Sequence, residues 1–360
     1  MSVRRLLASA SGVLFACLWA CVPLDQVCAR AVTDHLNRTV EIPDNVQRIV
    51  VTDIFPYASA LCAYLGDCSS IVGMHPTSMA AAEKGLLGKI HPEVLRADTG
   101  LMRGAEVNLE ALMALQPDVV FVNAGNKRLL ARLEAAGLPA LAVSTGKWNY
   151  NVMDTYEHWI SLLDAVFPNR AGAAKALEAG RAIERLVAER TMDIAEAKRR
   201  RVLFLVQYDA RRIVTSGSRF FGQYWASASG AVNAAQSVTL EKGNAVVGFE
   251  QILAWNPDAV FITNFTKTQP EDLYHKTLHD WSGIKAVQNK AVYKMPLGLY
   301  RSYTPSADSP MTLLWMAVTL YPERFADIRL DEQVQSFYHD VYGIDISLEE
   351  ARILFPTVQK

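Results

Sequence analysis

The sequence predicts an α/β protein of two Rossmann-like lobes with mainly parallel sheets, joined by one long α-helix. Three observations predict it. A helix–turn–strand phrase is written twice, as NLEALMALQPDVVFVN at 108–123 and GFEQILAWNPDAVFIT at 248–263. Strand-like and helix-like stretches alternate around both copies, the signature of parallel sheets. One helical stretch without proline lies midway between them. At 360 residues the chain is also longer than the roughly 250–300 residues that one core usually serves.

Six of the sixteen aligned positions are identical: Glu110/Glu250, Ala114/Ala254, Pro117/Pro257, Asp118/Asp258, Val120/Val260 and Phe121/Phe261. Each copy opens on an N-cap residue (Asn108, Gly248) and has a Glu two positions on, where a carboxylate meets the positive end of a helix. Pro-Asp then ends the helix, because proline cannot continue its hydrogen-bond ladder. The apolar runs VVFV and AVFI follow, as expected of strands buried on both faces.

The first residues differ in kind. MSVRR is a basic n-region, residues 6–22 are largely apolar, and Val27-Cys28-Ala29 supplies the small residues of a cleavage site. Residues 1–29 are therefore expected to be an export signal, which places the mature chain in the periplasm. The alternative is a lipid anchor at Cys17 or Cys21; Leu18-Trp19-Ala20-Cys21 is close to a lipobox, with the bulky Trp19 a poor fit before the small residue. No other segment has the ~20 consecutive apolar residues that a membrane-spanning helix needs. Cys62 and Cys68 remain in the mature chain; export permits a bridge between them, while a loop so short can forbid its geometry.

After the signal, alternation around the turn at Leu36-Asn37-Arg38 predicts a hairpin leading into a buried strand at 48–51. A helix at 57–65, a strand at 70–73, the first repeat, a helix near 126–136 and a strand at 140–143 complete a first lobe over 30–168. Residues 169–201 hold no proline, and Leu177, Ile183, Leu186, Val187 and Ile194 recur at helical spacing. About thirty helical residues would run ~45 Å, enough for a strut between lobes. VLFLVQY then opens a second lobe over 202–360.

An apolar content of 51% and a net charge of −1 describe a packed globular protein with no electrostatic invitation to nucleic acid. The order and spacing of DHLNRTVEIPDNVQRIVV, the two repeats, ASGAVNAAQ and LYPERFADI, spanning nearly the whole mature chain, resemble the periplasmic binding proteins of ABC importers for iron-siderophores and vitamin B12. The resemblance implies a monomer without a cofactor of its own, capturing a metal chelate between its lobes. A ferric siderophore is the first expectation; cobalamin, haem, a nickel or cobalt complex and a molybdate-type oxyanion are alternatives. It also implies that Glu110 and Glu250 dock onto arginines of the membrane permease. Dipole complementation alone is the plainer role for these two residues.

Ligands in open α/β sheets bind outside the carboxyl ends of the strands. The loops there, with the stretch before the first repeat, hold Tyr57, His75, Arg103, Trp148 and Tyr150 in the first lobe. The second-lobe loops hold Tyr208, Phe220, Tyr300, Arg301 and Tyr303. Aromatic faces and arginine forks suit a planar, anionic chelate. His75 is the one candidate there for touching a metal directly. His275 and His279 have the i, i+4 spacing of a helical metal pair without the Glu of the zinc-protease motif, and a solvated helix face is expected instead. There is no G-x-S-x-G elbow, phosphate-binding loop or dinucleotide fingerprint, so an exported hydrolase is only the different-class alternative.

Overall fold

The computed structural model describes residues 29–356 except 105, 169–172 and 240–242. Residues 1–28 of the predicted export signal, with Cys17 and Cys21, thus lie outside the described residues, and its last residue, Ala29, opens the first strand. Strands β1 (Ala29–Thr33) and β2 (Thr39–Pro43) pair antiparallel, and the turn between them has Asn37 at φ 60°. Then follow β3 (Ile49–Val51), α1 (Tyr57–Leu65), β4 (Ile71–Met74), α2 (Pro76–Lys84) and α3 (Leu87–Ile90). A small hairpin of β5 (Met102–Arg103) and β6 (Glu106–Val107) precedes α4 (Leu109–Ala114), β7 (Val119–Asn123), α5 (Lys127–Ala135) and β8 (Ala140–Val143). The first-lobe sheet has the order β4-β3-β7-β8 and is parallel throughout.

Helices α6 (Val152–Val166) and α7 (Ala173–Thr191) lead to the second lobe. There lie β9 (Arg201–Tyr208), β10 (Ile213–Ser216), α8 (Phe221–Ala228), β11 (Val232–Asn233), β12 (Asn244–Val247), α9 (Phe249–Trp255) and β13 (Ala259–Ile262). The chain ends with α10 (Pro270–Tyr274), α11 (Lys285–Gln288), β14 (Val292–Lys294), α12 (Ser309–Leu320), α13 (Leu330–Tyr342) and α14 (Leu348–Leu354). The sheet order is β12-β10-β9-β13-β14, with β11 beside the start of β9. Parallel pairing holds at β9, β13 and β14, and the β10 and β12 edge runs antiparallel.

The repeat explains itself in hydrogen bonds. Asp118 accepts from the backbone N–H groups of Gln47 and Arg48 at 2.8 and 2.7 Å, and Asp258 accepts from that of Arg201 at 2.8 Å. Each Asp thereby fixes the start of the neighbouring strand. Arg48 and Arg201 return the favour, donating to the Leu115 and Trp255 carbonyls at 2.9 and 3.3 Å, which would otherwise be orphaned at a helix end.

The helix predicted over 169–201 is shorter. Its described part is the 19 residues Ala173–Thr191, and β9 begins already at Arg201. Thr191 turns its hydroxyl back to the Val187 carbonyl at 2.8 Å, and Gly230 packs against it closely enough that a Cβ there would lie 2.5 Å away. Asp193 then leaves the helix to pair with Arg324. A single turn of 3-10 helix, Glu196–Lys198, carries the chain to the sheet.

Short as it is, α7 joins the lobes by packing: it lies against α6 on one side and α8, α12 and α13 on the other. The Tyr156 and Tyr342 hydroxyls meet 2.9 Å apart, and Tyr342 donates to the Ala307 carbonyl at 3.1 Å. One apolar core runs without a break from Val51 and Phe121 through Trp159 and Val187 to Phe204 and Trp315. Opening a wide hinge would tear this layer, so only modest lobe movement is expected on ligand binding. Small-angle scattering curves with and without ligand should nearly superimpose; a large compaction would show that the layer yields.

Candidate functional site

Between the lobes lies a groove of about 790 Å³, lined by Leu36, by the loops after β7 and β8, and by Ser218 and Arg219 ahead of α8. Each loop is placed by a specific device. Asp53, just past β3, accepts the Asn123 N–H at 2.9 Å and the Asn126 side-chain amide at 2.7 Å, and Asn126 in turn caps α5. This sets Lys127 at the groove edge. The loop after β8 hangs on His35: the Ser144 N–H donates to its Nδ1 at 3.0 Å, while Nε2 faces the His158 carbonyl at 3.2 Å. Trp148 wedges between the His35 and His158 rings at 4.9 and 4.0 Å, and Lys147 donates to the His35 carbonyl at 3.0 Å.

These contacts define a neutral His35 with its proton on Nε2. Burial lowers its pKa from 6.5 to about 4, and the positive charge of Lys147 opposes protonation further, against the pull of the His158 carbonyl and Asp34. The stability from this contact is complete above pH 6.5, where both folded and unfolded states hold neutral histidine. As pH falls from 6.5 to about 4 only the unfolded chain takes up the proton, so stability declines, by roughly 3 kcal/mol in all. Urea unfolding at pH 7 and 4.5 should show this loss, and His35→Gln should remove most of the pH slope. An equal slope in the variant would assign the loss elsewhere.

Two charged side chains, Asp308 buried and Lys294 half-buried, hold further loops of the second lobe. Asp308 accepts from the Leu299 and Tyr300 N–H groups at 3.1 and 3.0 Å and from the Tyr338 hydroxyl, fixing the loop that carries Arg301. Burial pushes its carboxyl above the usual range, and these donors pull it back down. Gly298 has to be glycine, since a Cβ would stand 2.4 Å from Asp308 Oδ1. Lys294, at the end of β14, donates to the Thr263, Thr266 and Thr268 carbonyls at 3.1, 2.8 and 2.7 Å and so holds the loop bearing Phe265. Burial draws its pKa down to about 8.

Of the residues expected in the cleft, Tyr150 lines the groove, and its ring meets Phe220 of the opposite lobe at 4.7 Å. Arg301 is half-buried with its guanidinium 4.9 Å from the Phe265 ring. His75 caps α2, its Nδ1 accepting the Thr77 N–H at 3.0 Å, and its ring lies 4.4 Å from Phe55. Burial lowers its pKa.

Phe220, Arg301 and His75 are not among the residues that line this groove, and the remaining expected residues are placed elsewhere too. Trp148 supports its loop instead of lining the groove, for it fills the gap between two imidazoles. Tyr57 is wholly buried against Phe121 and Trp159, since α1 is apolar on every side. Tyr208 is buried with its hydroxyl accepting from Trp281 Nε1 at 2.9 Å. Tyr300 and Tyr303 are 1% exposed; each lies beneath the groove-side surface as packing. Arg103 sits exposed on the β5–β6 hairpin and does not line the groove.

Cys62 and Cys68 are joined by a disulfide. His275 is the C-cap of α10 and Lys276 follows at φ 56°, so no helix spans His275 and His279. His279 instead receives the Tyr208 hydroxyl at 3.0 Å and stacks on Phe249.

Lys127 and Arg219 are groove residues that no expectation from the sequence names. Both are exposed, and with Lys147 they bring three cations to the groove from both lobes, while no carboxylate among the described residues lines it. Their signal was position alone: each lies in a loop already assigned to the ligand face. Like charges gathered in a groove give it a positive potential, the polarity that attracts anions.

A family model described as periplasmic binding protein matches residues 63–297. The molybdate-binding protein MolA of Haemophilus influenzae is 28% identical over 356 residues, covering 92% of this chain and 95% of that one. Its crystal structure with molybdate superposes with a TM-score of 0.73 at 26% identity, over 88% of this chain and 99% of the other. A periplasmic solute binding protein of Veillonella parvula shares the fold at a TM-score of 0.80 and 24% identity, over 91% and 97% of the two chains. With the two-lobed fold, the interlobe groove and a family match over most of its length, the chain belongs to the periplasmic binding protein family.

Proposed function

We propose that the protein is the binding component of an ABC importer and that it carries an anionic metal species, first of all a molybdate-type oxyanion, to a membrane permease. The observation that carries the reading is the charge of the groove: Lys127, Lys147 and Arg219 face it without an acidic partner in its lining. An oxyanion accepts charge-assisted hydrogen bonds from such donors and needs no metal ligand from the protein. The similarity to MolA supports the same choice. The metal is cargo, held within the ligand.

A larger anionic chelate, such as a ferric siderophore, is the second reading. It is favoured by the groove's size, about 790 Å³, and by the ring of Tyr150 at its edge, a stacking surface that an oxyanion does not need. Native mass spectrometry with metal analysis of protein purified from its own periplasm separates the two. Molybdenum without an organic carrier supports the first, and iron with one supports the second. Protein carrying neither, and binding neither, would overturn both.

The chain acts as an exported monomer, released by cleavage after residue 29, and docks through Glu110 and Glu250. Both are exposed in the first turn of their helices, and neither lines the groove. N-terminal sequencing of exported protein tests the processing, and a lipid-modified Cys21 would replace release by anchoring.

A further inference from the structure

We infer that Met113 and Leu253 form a matched pair of apolar contacts through which the two lobe tips seat in the permease. The inference rests on the docking role proposed for Glu110 and Glu250. The repeated phrase sorts its conserved positions by what they do inside the chain. Pro117 and Pro257 are buried helix stops, Asp118 and Asp258 fix neighbouring strands, and Val120, Val260, Phe121 and Phe261 are core. Leu112 and Ile252 turn the inner face of each short helix into its lobe, both 0% exposed.

Beyond complementing a helix dipole, Glu110 and Glu250 have no such internal role, and neither do the exposed Ala114 and Ala254. The Glu110 and Glu250 carboxylates make no ion pair among the described residues. One helical turn further on, Met113 and Leu253 are 45% and 43% exposed, although both are large and apolar. Residues three apart share a helix face, so each acid and each apolar side chain form one small patch. Single exposed apolar residues need no account, and several others lie scattered over this surface. Here the same exposure recurs at equivalent positions 140 residues apart, in two lobes that otherwise differ in sheet topology.

A single partner surface does not explain two equal patches; a partner made of two like subunits does. An acid beside a methionine or leucine asks for a shallow apolar pocket rimmed by a cation. The acid contributes steering and register, whereas the apolar contact contributes affinity that salt does not screen.

The test measures docking of ligand-loaded protein onto its permease in lipid nanodiscs, at low and at high salt. Met113→Ser with Leu253→Ser should weaken docking ~30-fold or more at both salt concentrations, since each removes a buried apolar contact, and leave ligand affinity and thermal stability unchanged. Glu110→Gln with Glu250→Gln should weaken it chiefly at low salt. Wild-type docking by the serine variant, with the glutamine variant impaired, overturns this inference and leaves the acidic docking role standing. Wild-type docking by both variants overturns both.

Discussion

Replacing Lys127 and Arg219 together with glutamine is expected to lower the affinity for the anionic ligand by on the order of a hundredfold or more. A hydrogen bond to a charged group is worth about 1.5–3 kcal/mol, and each 1.4 kcal/mol is a factor of ten, so two such bonds account for that loss even when water screens part of the field. These two cations are the informative ones because neither has, among the described residues, a hydrogen-bond or ion-pair partner that fixes the fold. Lys147 does: its ammonium serves the His35 carbonyl at 3.0 Å and Asn37 Oδ1 at 3.3 Å, so its loss would loosen a loop as well as remove a charge. Titration calorimetry of the double variant should show weaker binding with an unchanged unfolding midpoint. Equal affinity in variant and wild type would mean that the ligand is held elsewhere.

Glu110→Lys with Glu250→Lys should nearly abolish uptake by reconstituted permease while leaving ligand affinity intact. Exposed ion pairs contribute only about 0–1 kcal/mol each, so neutral substitutions are expected to be mild. Charge reversal adds repulsion at both proposed docking points, and like charges juxtaposed across an interface cost several kcal/mol. Neither residue touches the groove. Normal uptake by the double variant, or a loss of ligand binding large enough to explain the defect, would remove the docking assignment.

Much of the fold was legible because periodicity and stop signals act locally. The helix Tyr57–Leu65 ends where Gly66 adopts φ 74°, and β8 is bounded by Pro139 and the polar Ser144, so both match their expected limits. The long helix was overextended because its end is decided by tertiary contacts, the approach of Gly230 and the pairing of Asp193 with Arg324, which composition does not carry. The loops of the ligand face were also legible, from strand polarity alone. Which side chains they expose was not.

Tyrosine is ambiguous in such loops, since its ring can pack inward while its hydroxyl finds a polar neighbour. Tyr208 does this with Trp281 and His279, and Tyr303 reaches Asn244 Oδ1 at 3.2 Å from a buried position. Exposed lysine and arginine have no such choice, because an ammonium or guanidinium stays in water unless it is paired. Lys127 and Arg219 were therefore the more readable members of their loops, and the aromatic emphasis of the sequence reading passed over them.

In the proposed function an anionic metal species sits between the lobes against these cations. The most direct test is a crystal structure of protein purified with its native cargo, with anomalous scattering locating the metal. One peak is expected in the groove bounded by Lys127, the loop over 144–150 and Arg219, with anionic oxygens between the metal and the side chains. A peak coordinated directly by His75 or any other side chain, or one outside the groove, would contradict it.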